Sequence, residues 1–306
     1  MKAIIIMGPT GIGKSDLAMK LALKLKGEIV CIDSKTIYKG INIGTSKPTE
    51  FDRSRVPHHM LDILDLDEKS NAAWFSKRAR KIIGDIFSRG KTPFLVGGSG
   101  LYFKSILRGL FDINLSEDER KEFSESITNV ETPELYKRLL KCDEESAERI
   151  HPNDLYRISR ALEVYTLSGI PLSEHIRKQN ESDIFNLQSV KIGLNTERSI
   201  LHQRINNRVE KMIGNGWVDE VKNLLAAGIK PQWPGMQTLG YPEVISCLRN
   251  IIDYNEMKEK ISARTRQYAK SQITWFKKEE KITWINTSMT DPYTAALKLL
   301  DREFLN

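Results

Sequence analysis

The sequence predicts an α/β fold, a parallel sheet flanked by helices, with an all-helical insertion. Three observations carry this expectation. Short apolar runs at Ala3–Met7, Glu28–Ile32, Pro93–Val96 and Ser189–Leu194 have the length and content of buried strands, and helical segments separate them. The first and third of these runs lead directly into glycine-rich turns, as strands do where an open sheet holds a ligand. From about Ser116 to Glu181 the strand signal stops, and charged helical segments broken at Pro133, Pro152 and Pro171 replace it. The expected division is a core of residues 1–115 and 186–306 around an insertion of residues 116–185.

The strand Ala3–Met7 opens into Gly8-Pro9-Thr10-Gly11-Ile12-Gly13-Lys14-Ser15, which satisfies G-x-x-x-x-G-K-[ST], the P-loop pattern. A helix follows, with Leu17, Ala18, Leu21, Ala22 and Leu25 on one face and Gly27 as its stop. Strand, loop and helix in this order make the core P-loop NTPase-like. The glycines let backbone N–H groups wrap a phosphate at the positive end of the helix. Lys14 adds charge, and the Ser15 hydroxyl can hold Mg²⁺. The loop does not by itself say which phosphates it holds.

Glu28–Ile32 is the next strand and ends at Asp33. That carboxylate has three readings: a Walker-type acid ordering Mg²⁺, a general base, or a plain turn residue. A strand is expected over His59–Ile63, after Pro57; adjacent His58 and His59 then face opposite ways, which suits structure better than metal binding. A helix is expected over Ala72–Ser88, with Phe75, Ala79, Ile82, Ile83, Ile86 and Phe87 inward and Gly90 closing it. Pro93–Val96 runs into Gly97-Gly98-Ser99-Gly100, a turn that permits close backbone approach and offers the Ser99 hydroxyl to a ligand. Ligands sit at the carboxyl ends of such strands, so the P-loop, Asp33 and this turn should meet in one crevice.

In the insertion, the helix after His151-Pro152-Asn153-Asp154 should bury Leu155, Ile158, Leu162 and Tyr165, with Arg157 and Arg160 pointing away. After the strand Ser189–Leu194, Thr196 should cap a helix through Met212 that buries Leu201, Ile205, Val209 and Met212. Arg208 lies toward its apolar flank, from where a cation can reach a phosphate. Lys281–Ile285 reads as a late strand.

The chain has 306 residues, 40% hydrophobic, with a formal charge of +7. No stretch nears the roughly 20 apolar residues of a membrane span, and the strand at the N-terminus does not read as a signal peptide. Cys31, Cys142 and Cys247 are too dispersed for a disulfide framework or a metal site, so a cytoplasmic protein is expected. Basic residues cluster with aromatics in the second half, in Arg264-Thr265-Arg266-Gln267-Tyr268-Ala269-Lys270 and on to Trp275-Phe276-Lys277-Lys278. Cations beside stacking surfaces suit RNA; a solvated amphipathic helix is the plainer reading.

Taken together, the motifs resemble the bacterial tRNA dimethylallyltransferases. They run from Gly8–Ser15 through Asp33-Ser34 with Tyr38, Pro57-His58-His59 with Leu61-Asp62, and Gly97–Tyr102, to Arg157–Val164, His202–Ile205 with Arg208, Gly240-Tyr241, Thr265–Gln267 and Gln272–Trp275. The series spans nearly the whole chain in order. The resemblance implies transfer of a dimethylallyl group from dimethylallyl diphosphate to the exocyclic amine of the adenosine 3′ of the tRNA anticodon. It implies that Gly8, Pro9, Thr10, Gly11, Ile12, Gly13, Lys14, Ser15 and Arg208 hold the diphosphate, with Mg²⁺ at Ser15.

The same resemblance makes Asp33 the base that accepts the amine proton and puts Ser99 beside it in catalysis. Contacts to tRNA fall to Asp33, Ser34, Lys35, Thr36 and Ser99 at the flipped base. Arg120, Tyr156, Arg157, Ile158, Ser159 and Arg160 would grip the anticodon stem-loop. Gln237, Thr238, Leu239, Gly240, Tyr241 and Pro242, then Lys270, Ser271, Gln272, Ile273, Thr274, Trp275, Phe276 and Lys277, complete the surface. Ser99 stands where threonine is common, and Ser271 where many relatives carry a basic residue. A monomer is expected, because both sites lie in one chain. A small-molecule kinase of nucleoside or shikimate type would account for the N-terminal third alone. An RNA-binding module with a vestigial P-loop would leave the intact Lys14 and Ser15 unexplained.

Overall fold

The structure is a computed structural model that describes residues 2–109, 116–182, 185 and 187–303. In chain order, β1 (Lys2–Met7), α1 (Lys14–Lys24), β2 (Glu28–Ile32), α2 (Glu50–Arg55), β3 (His58–His59), α3 (Ala72–Ser88), β4 (Pro93–Gly97) and α4 (Gly100–Arg108) come first. Helices α5 (Glu117–Ile127), α6 (Thr132–Cys142), α7 (Glu144–Arg149), α8 (Leu155–Ser168) and α9 (Leu172–Ser182) follow. Then come β5 (Gln188–Asn195), α10 (Arg198–Gly214), α11 (Trp217–Ala226), a 3₁₀ turn at Pro234–Gln237, α12 (Tyr241–Leu248), α13 (Tyr254–Phe276), β6 (Ile282–Asn286) and α14 (Pro292–Glu303).

The chain divides into two compact units, Met1–Ile106 with Leu187–Asn306, and Leu107–Asn186. The expected boundaries at 115/116 and 185/186 each adjoin a residue, 115 or 186, that lies outside the described residues. The first unit is built on a six-stranded sheet of order β3-β2-β4-β1-β5-β6. Every pairing is parallel. Ala3 to Met7 of the central strand are fully buried. Ile4 and Ile6 pack with Leu17 and Leu21 of α1, Phe94 and Val96 of β4, and Leu201 and Ile205 of α10. Each such side chain contributes about 1.5–3 kcal/mol on burial, which fixes which face of each helix meets the sheet. The second unit has its own core, in which Leu135 and Leu139 of α6 meet Ile158, Ala161 and Leu162 of α8.

Register positions the site. Met7 pairs with Gly97, and Gly97 pairs with Ile32. The last residues of β1, β4 and β2 therefore lie side by side, and the three connections that follow them start at one level.

Three local expectations are corrected. The strand expected over His59–Ile63 is only His58–His59; Met60 (φ 62°) and Asp62 (φ 53°) take left-handed backbone, which an extended strand does not accommodate. Thr196 does not cap α10: Glu197 holds the cap position with no side-chain bond, and Thr196 Oγ1 is buried without a hydrogen-bond partner. In α8, Leu155 and Tyr165 are exposed, while Ala161 and Val164 join Ile158 and Leu162 in the interior. Among the described residues, no helix is long and apolar enough to cross a membrane.

Candidate active site

A cleft of about 650 Å³ opens where those three connections meet. Thr10, Gly11, Gly13, Lys14 and Ser15 line it from the P-loop, Asp33 and Thr36 from the end of β2, and Gly97 and Gly98 from the end of β4. Arg204, Arg208 and Lys211 enter from α10, and Tyr268 and Gln272 from α13. Ala18, Met19, Ile29, Cys31, Leu61 and Val96 add an apolar part. A cleft with a cationic phosphate cradle beside apolar lining suits a ligand that is partly phosphate and partly hydrocarbon.

The P-loop has the backbone its glycines allow. Gly11 (φ 79°) and Gly13 (φ 98°) are left-handed, and α1 begins at Lys14 with no side chain capping its first turn, so its amides face the loop. Lys14 Nζ donates to the Pro9 carbonyl at 2.8 Å. Arg208 Nη1 donates to Thr10 Oγ1 at 2.9 Å, which brings the guanidinium against the loop as its place on the helix flank predicted. Burial, with Arg208 nearby, pulls the Lys14 amine down to about 7, while Asp33 pulls it up. Burial also lowers Arg208, against the pull of Asp33. A site that strains two cations in this way is one that an anion relieves.

Asp33 closes a turn. Its Oδ1 accepts the Lys35 amide at 2.7 Å, with the Thr36 amide at 3.4 Å, and Oδ2 has no hydrogen-bond donor among the described residues. The carboxylate is thus oriented by one oxygen and open to a ligand through the other. Tyr268 lies against Ser99 and Gln272, and burial followed by the charge of Asp33 pushes its hydroxyl up to about 12, so it stays protonated.

The Gly97–Gly100 turn is glycine-rich for a reason the sequence did not show. A Cβ at Gly98 would fall 2.1 Å from Gln272 Nε2, and one at Gly100 would fall 2.1 Å from the Trp275 ring. The close approach that the glycines allow here is to α13. Gln272 ties the two glycine turns together, accepting the Thr10 amide at 2.8 Å and donating to the Gly98 carbonyl at 3.0 Å.

Several residues expected at an RNA surface have interior side chains. Ile158, Tyr241 and Phe276 are fully buried, and Thr238 and Gln272 nearly so, because each packs its own helix or turn against the core. Gly240 is buried, and Ile273 packs against the sheet core. These side chains hold their elements in place, and Gln272 also lines the cleft. Lys270, Ser271, Thr274 and Lys277 do form an exposed strip along α13, and Gln237 is exposed. Leu239, Pro242 and Trp275 are half-buried, as are Ser34 and Lys35 beside Asp33. In the helical unit Tyr156 is 82% exposed. Arg157 is also exposed and pairs with Asp154, Arg160 pairs with Glu163, and Ser159 is half-buried. Arg120 has a buried Nε with no hydrogen-bond partner. Sequence reasoning gave no role to Lys211, which lines the cleft three residues beyond Arg208. The three- and four-residue steps that join Arg204, Arg208 and Lys211 on one helix face were the available signal.

Comparison with known proteins identifies the family. The family model described as IPP transferase matches residues 36–279. The chain is 44% identical over 286 residues to "tRNA dimethylallyltransferase 2" of Geotalea uraniireducens, covering 93% of this chain and 92% of that one. It is 45% identical over 287 residues to the tRNA dimethylallyltransferase of Thermotoga neapolitana, covering 94% and 92%. Among solved structures, a tRNA isopentenylpyrophosphate transferase from Staphylococcus epidermidis superposes with a TM-score of 0.71 at 35% identity, covering 99% of each chain. A eukaryotic dimethylallyltransferase acting on tRNA superposes with a TM-score of 0.83 at 28% identity, covering 99% of this chain and 79% of that one. With a family model across more than half its length and relatives above 40% identity over nearly all of it, the chain belongs to the IPP transferase family.

Proposed function

We propose that this protein transfers the dimethylallyl group of dimethylallyl diphosphate to the exocyclic amine of the adenosine 3′ of the tRNA anticodon. The observation that carries the reading is one cleft holding both an oriented carboxylate, Asp33, and a P-loop with two desolvated cations, Lys14 and Arg208. Names borne by relatives along nearly the whole chain supply the substrate class.

The amine nitrogen attacks the allylic carbon next to the diphosphate, a C–N bond forms, and the C–O bond to diphosphate breaks. Asp33 Oδ2 accepts the proton the amine loses. Lys14, Arg208 and the loop amides take up the charge that develops on the departing diphosphate. An aryl amine is a weak nucleophile, so holding base and donor in one cleft supplies much of the rate. Ser99 beside Tyr268 offers a hydroxyl to the flipped base.

The residues present fit Mg²⁺. Ser15 is exposed in the cleft and its hydroxyl makes no hydrogen bond among the described residues. No three described His, Cys, Asp or Glu side chains gather into a ready-made metal site, so most ligands would be phosphate oxygens and water, which this ion prefers. Bound at Ser15, the ion would neutralise diphosphate charge. Arg120, Tyr156, Arg157 and Arg160 of the helical unit would grip the anticodon stem-loop, and the exposed strip of α13 would add phosphate contacts. The protein would act as a cytoplasmic monomer.

The test is a pair of incubations with unmodified tRNA and Mg²⁺, one with labelled dimethylallyl diphosphate and one with γ-labelled ATP. Label entering tRNA without ATP consumption supports the transferase. Phosphate moving from ATP to a small acceptor would establish a kinase instead.

A further inference from the structure

Thr45, Ser46 and Lys47 form a wall of the cleft that contains the P-loop. They belong to the connection between β2 and α2, which has no helix or ladder of its own from Lys39 to Pro48. The connection is fixed from α11. Glu220 Oε2 accepts the Asn42 amide at 2.7 Å and the Ile43 amide at 2.8 Å. Its Oε1 accepts the Tyr241 hydroxyl at 2.7 Å and the Gly44 amide at 3.3 Å. One carboxylate thus receives three successive amides and a hydroxyl, a concave nest of donors that only an anion satisfies fully. Gly44 is pressed against the same knot: a Cβ there would fall 2.1 Å from Trp217 Nε1 and 2.6 Å from the Tyr241 ring. Trp217 and Tyr241 meet edge to face, with centroids 5.6 Å apart. At the far end of the connection Lys47 is anchored to the Tyr38 carbonyl and to Asp62, with its side chain 1% exposed. Both ends of the Thr45–Ser46 wall are therefore held, one by Glu220 and one by Lys47. Glu220 itself does not line the cleft.

We infer that Glu220 is a positioning residue for the transfer reaction: by gripping the amides of Asn42 to Gly44 it sets the wall that confines the diphosphate donor against the P-loop. The inference rests on the transferase reading above. Neither Glu220 nor the Thr45–Ser46 wall is itself among the RNA contacts assigned above, so losing Glu220 should weaken donor binding more than tRNA binding.

The test compares wild type with Glu220→Ala, Glu220→Gln and Tyr241→Phe, by steady-state kinetics, by calorimetry with inorganic diphosphate and Mg²⁺, and by amide hydrogen exchange over residues 39–48. Glu220→Ala should raise the KM for dimethylallyl diphosphate about tenfold or more, leave the KM for tRNA within about twofold, and speed exchange at residues 42–44. Glu220→Gln keeps an oxygen for Asn42 and Ile43 but turns an NH₂ toward the Gly44 amide and the Tyr241 hydroxyl, so it should fall between the two. Tyr241→Phe, which removes one donor of the four, should shift the donor KM least. Unchanged donor KM with a folded Glu220→Ala, a fall in kcat alone, or equal rises in both KM values would overturn the inference. If Glu220→Ala does not fold, the order of the other two variants decides in the same way. If wild type transfers nothing, the transferase reading fails by itself, and weaker inorganic diphosphate binding by the Glu220 variants still tests the wall.

Discussion

The side chain of Gln272 is fastened to the backbone of Thr10, its Oε1 accepting the P-loop amide at 2.8 Å, while its Nε2 donates to the Gly98 carbonyl at 3.0 Å. A single amide, held on a long helix, spans the two glycine-rich turns that flank the reaction site. Gln272→Ala removes both bonds and leaves two backbone groups unsatisfied. It should cost about 1–3 kcal/mol in urea unfolding and weaken inorganic diphosphate binding about tenfold in calorimetry. Undiminished diphosphate affinity would mean that the loop keeps its shape without the clamp.

Two neighbouring glycines should fail in different ways. A Cβ at Gly98 meets the tip of Gln272, which can swing aside, whereas a Cβ at Gly97 would lie 2.0 Å from the Ile32 carbonyl, a backbone atom inside the sheet. Gly98→Ala should therefore fold, losing no more stability than Gln272→Ala, and reproduce the diphosphate defect of Gln272→Ala. Gly97→Ala should lose about 1–3 kcal/mol or more, because the strands must shift. A Gly98→Ala protein with full activity would sever the link between this turn and the P-loop.

This contrast also marks what the sequence could reveal. The P-loop, the strand ends and the convergence of Asp33 with the Gly97–Gly100 turn were readable, since each is a local pattern and parallel topology aligns strand ends. Partners distant in sequence were not. Nothing local says that Gly98 is small for the sake of Gln272, 174 residues away, or that Asn42 is held by Glu220, 178 residues away. Tyr241 and Phe276 are assigned to an RNA surface because they sit in motifs of a binding segment, and motif membership does not distinguish a side chain that touches RNA from one that holds the helix that does. Ile158, in such a motif too, is buried as its helical spacing predicted. The His59–Ile63 strand failed on backbone sign: Met60 and Asp62 are left-handed, a state rare enough outside glycine that sequence reasoning does not anticipate it.

Asp33 is the residue on which the chemistry turns. Its Oδ1 is used by the Lys35 amide, and asparagine can accept that same bond, so Asp33→Asn should keep the turn and remove only the base. Transfer measured in a single turnover should fall about 10²–10⁴-fold, with tRNA affinity within about threefold of wild type. Full single-turnover activity in Asp33→Asn would move the base elsewhere.

Lys14 gives a prediction in pH. Burial first, then Arg208, brings its amine from the ordinary 10.5 to about 7, with Asp33 opposing. In the unfolded chain the amine titrates near its ordinary value, so between the two values the unfolded state holds the extra proton. Stability of the free protein should then rise with pH across this window as the buried charge is relieved. Diphosphate favours the charged amine, so binding above pH 7 must take up a proton, and affinity should fall as pH rises from 7 toward 10. Calorimetry at pH 8 in two buffers of different ionisation enthalpy measures that uptake. Wild type should take up close to one proton more per diphosphate than Lys14→Met, which reports the ligand's own titration. Equal uptake in the two proteins would mean that Lys14 is already charged before the diphosphate arrives.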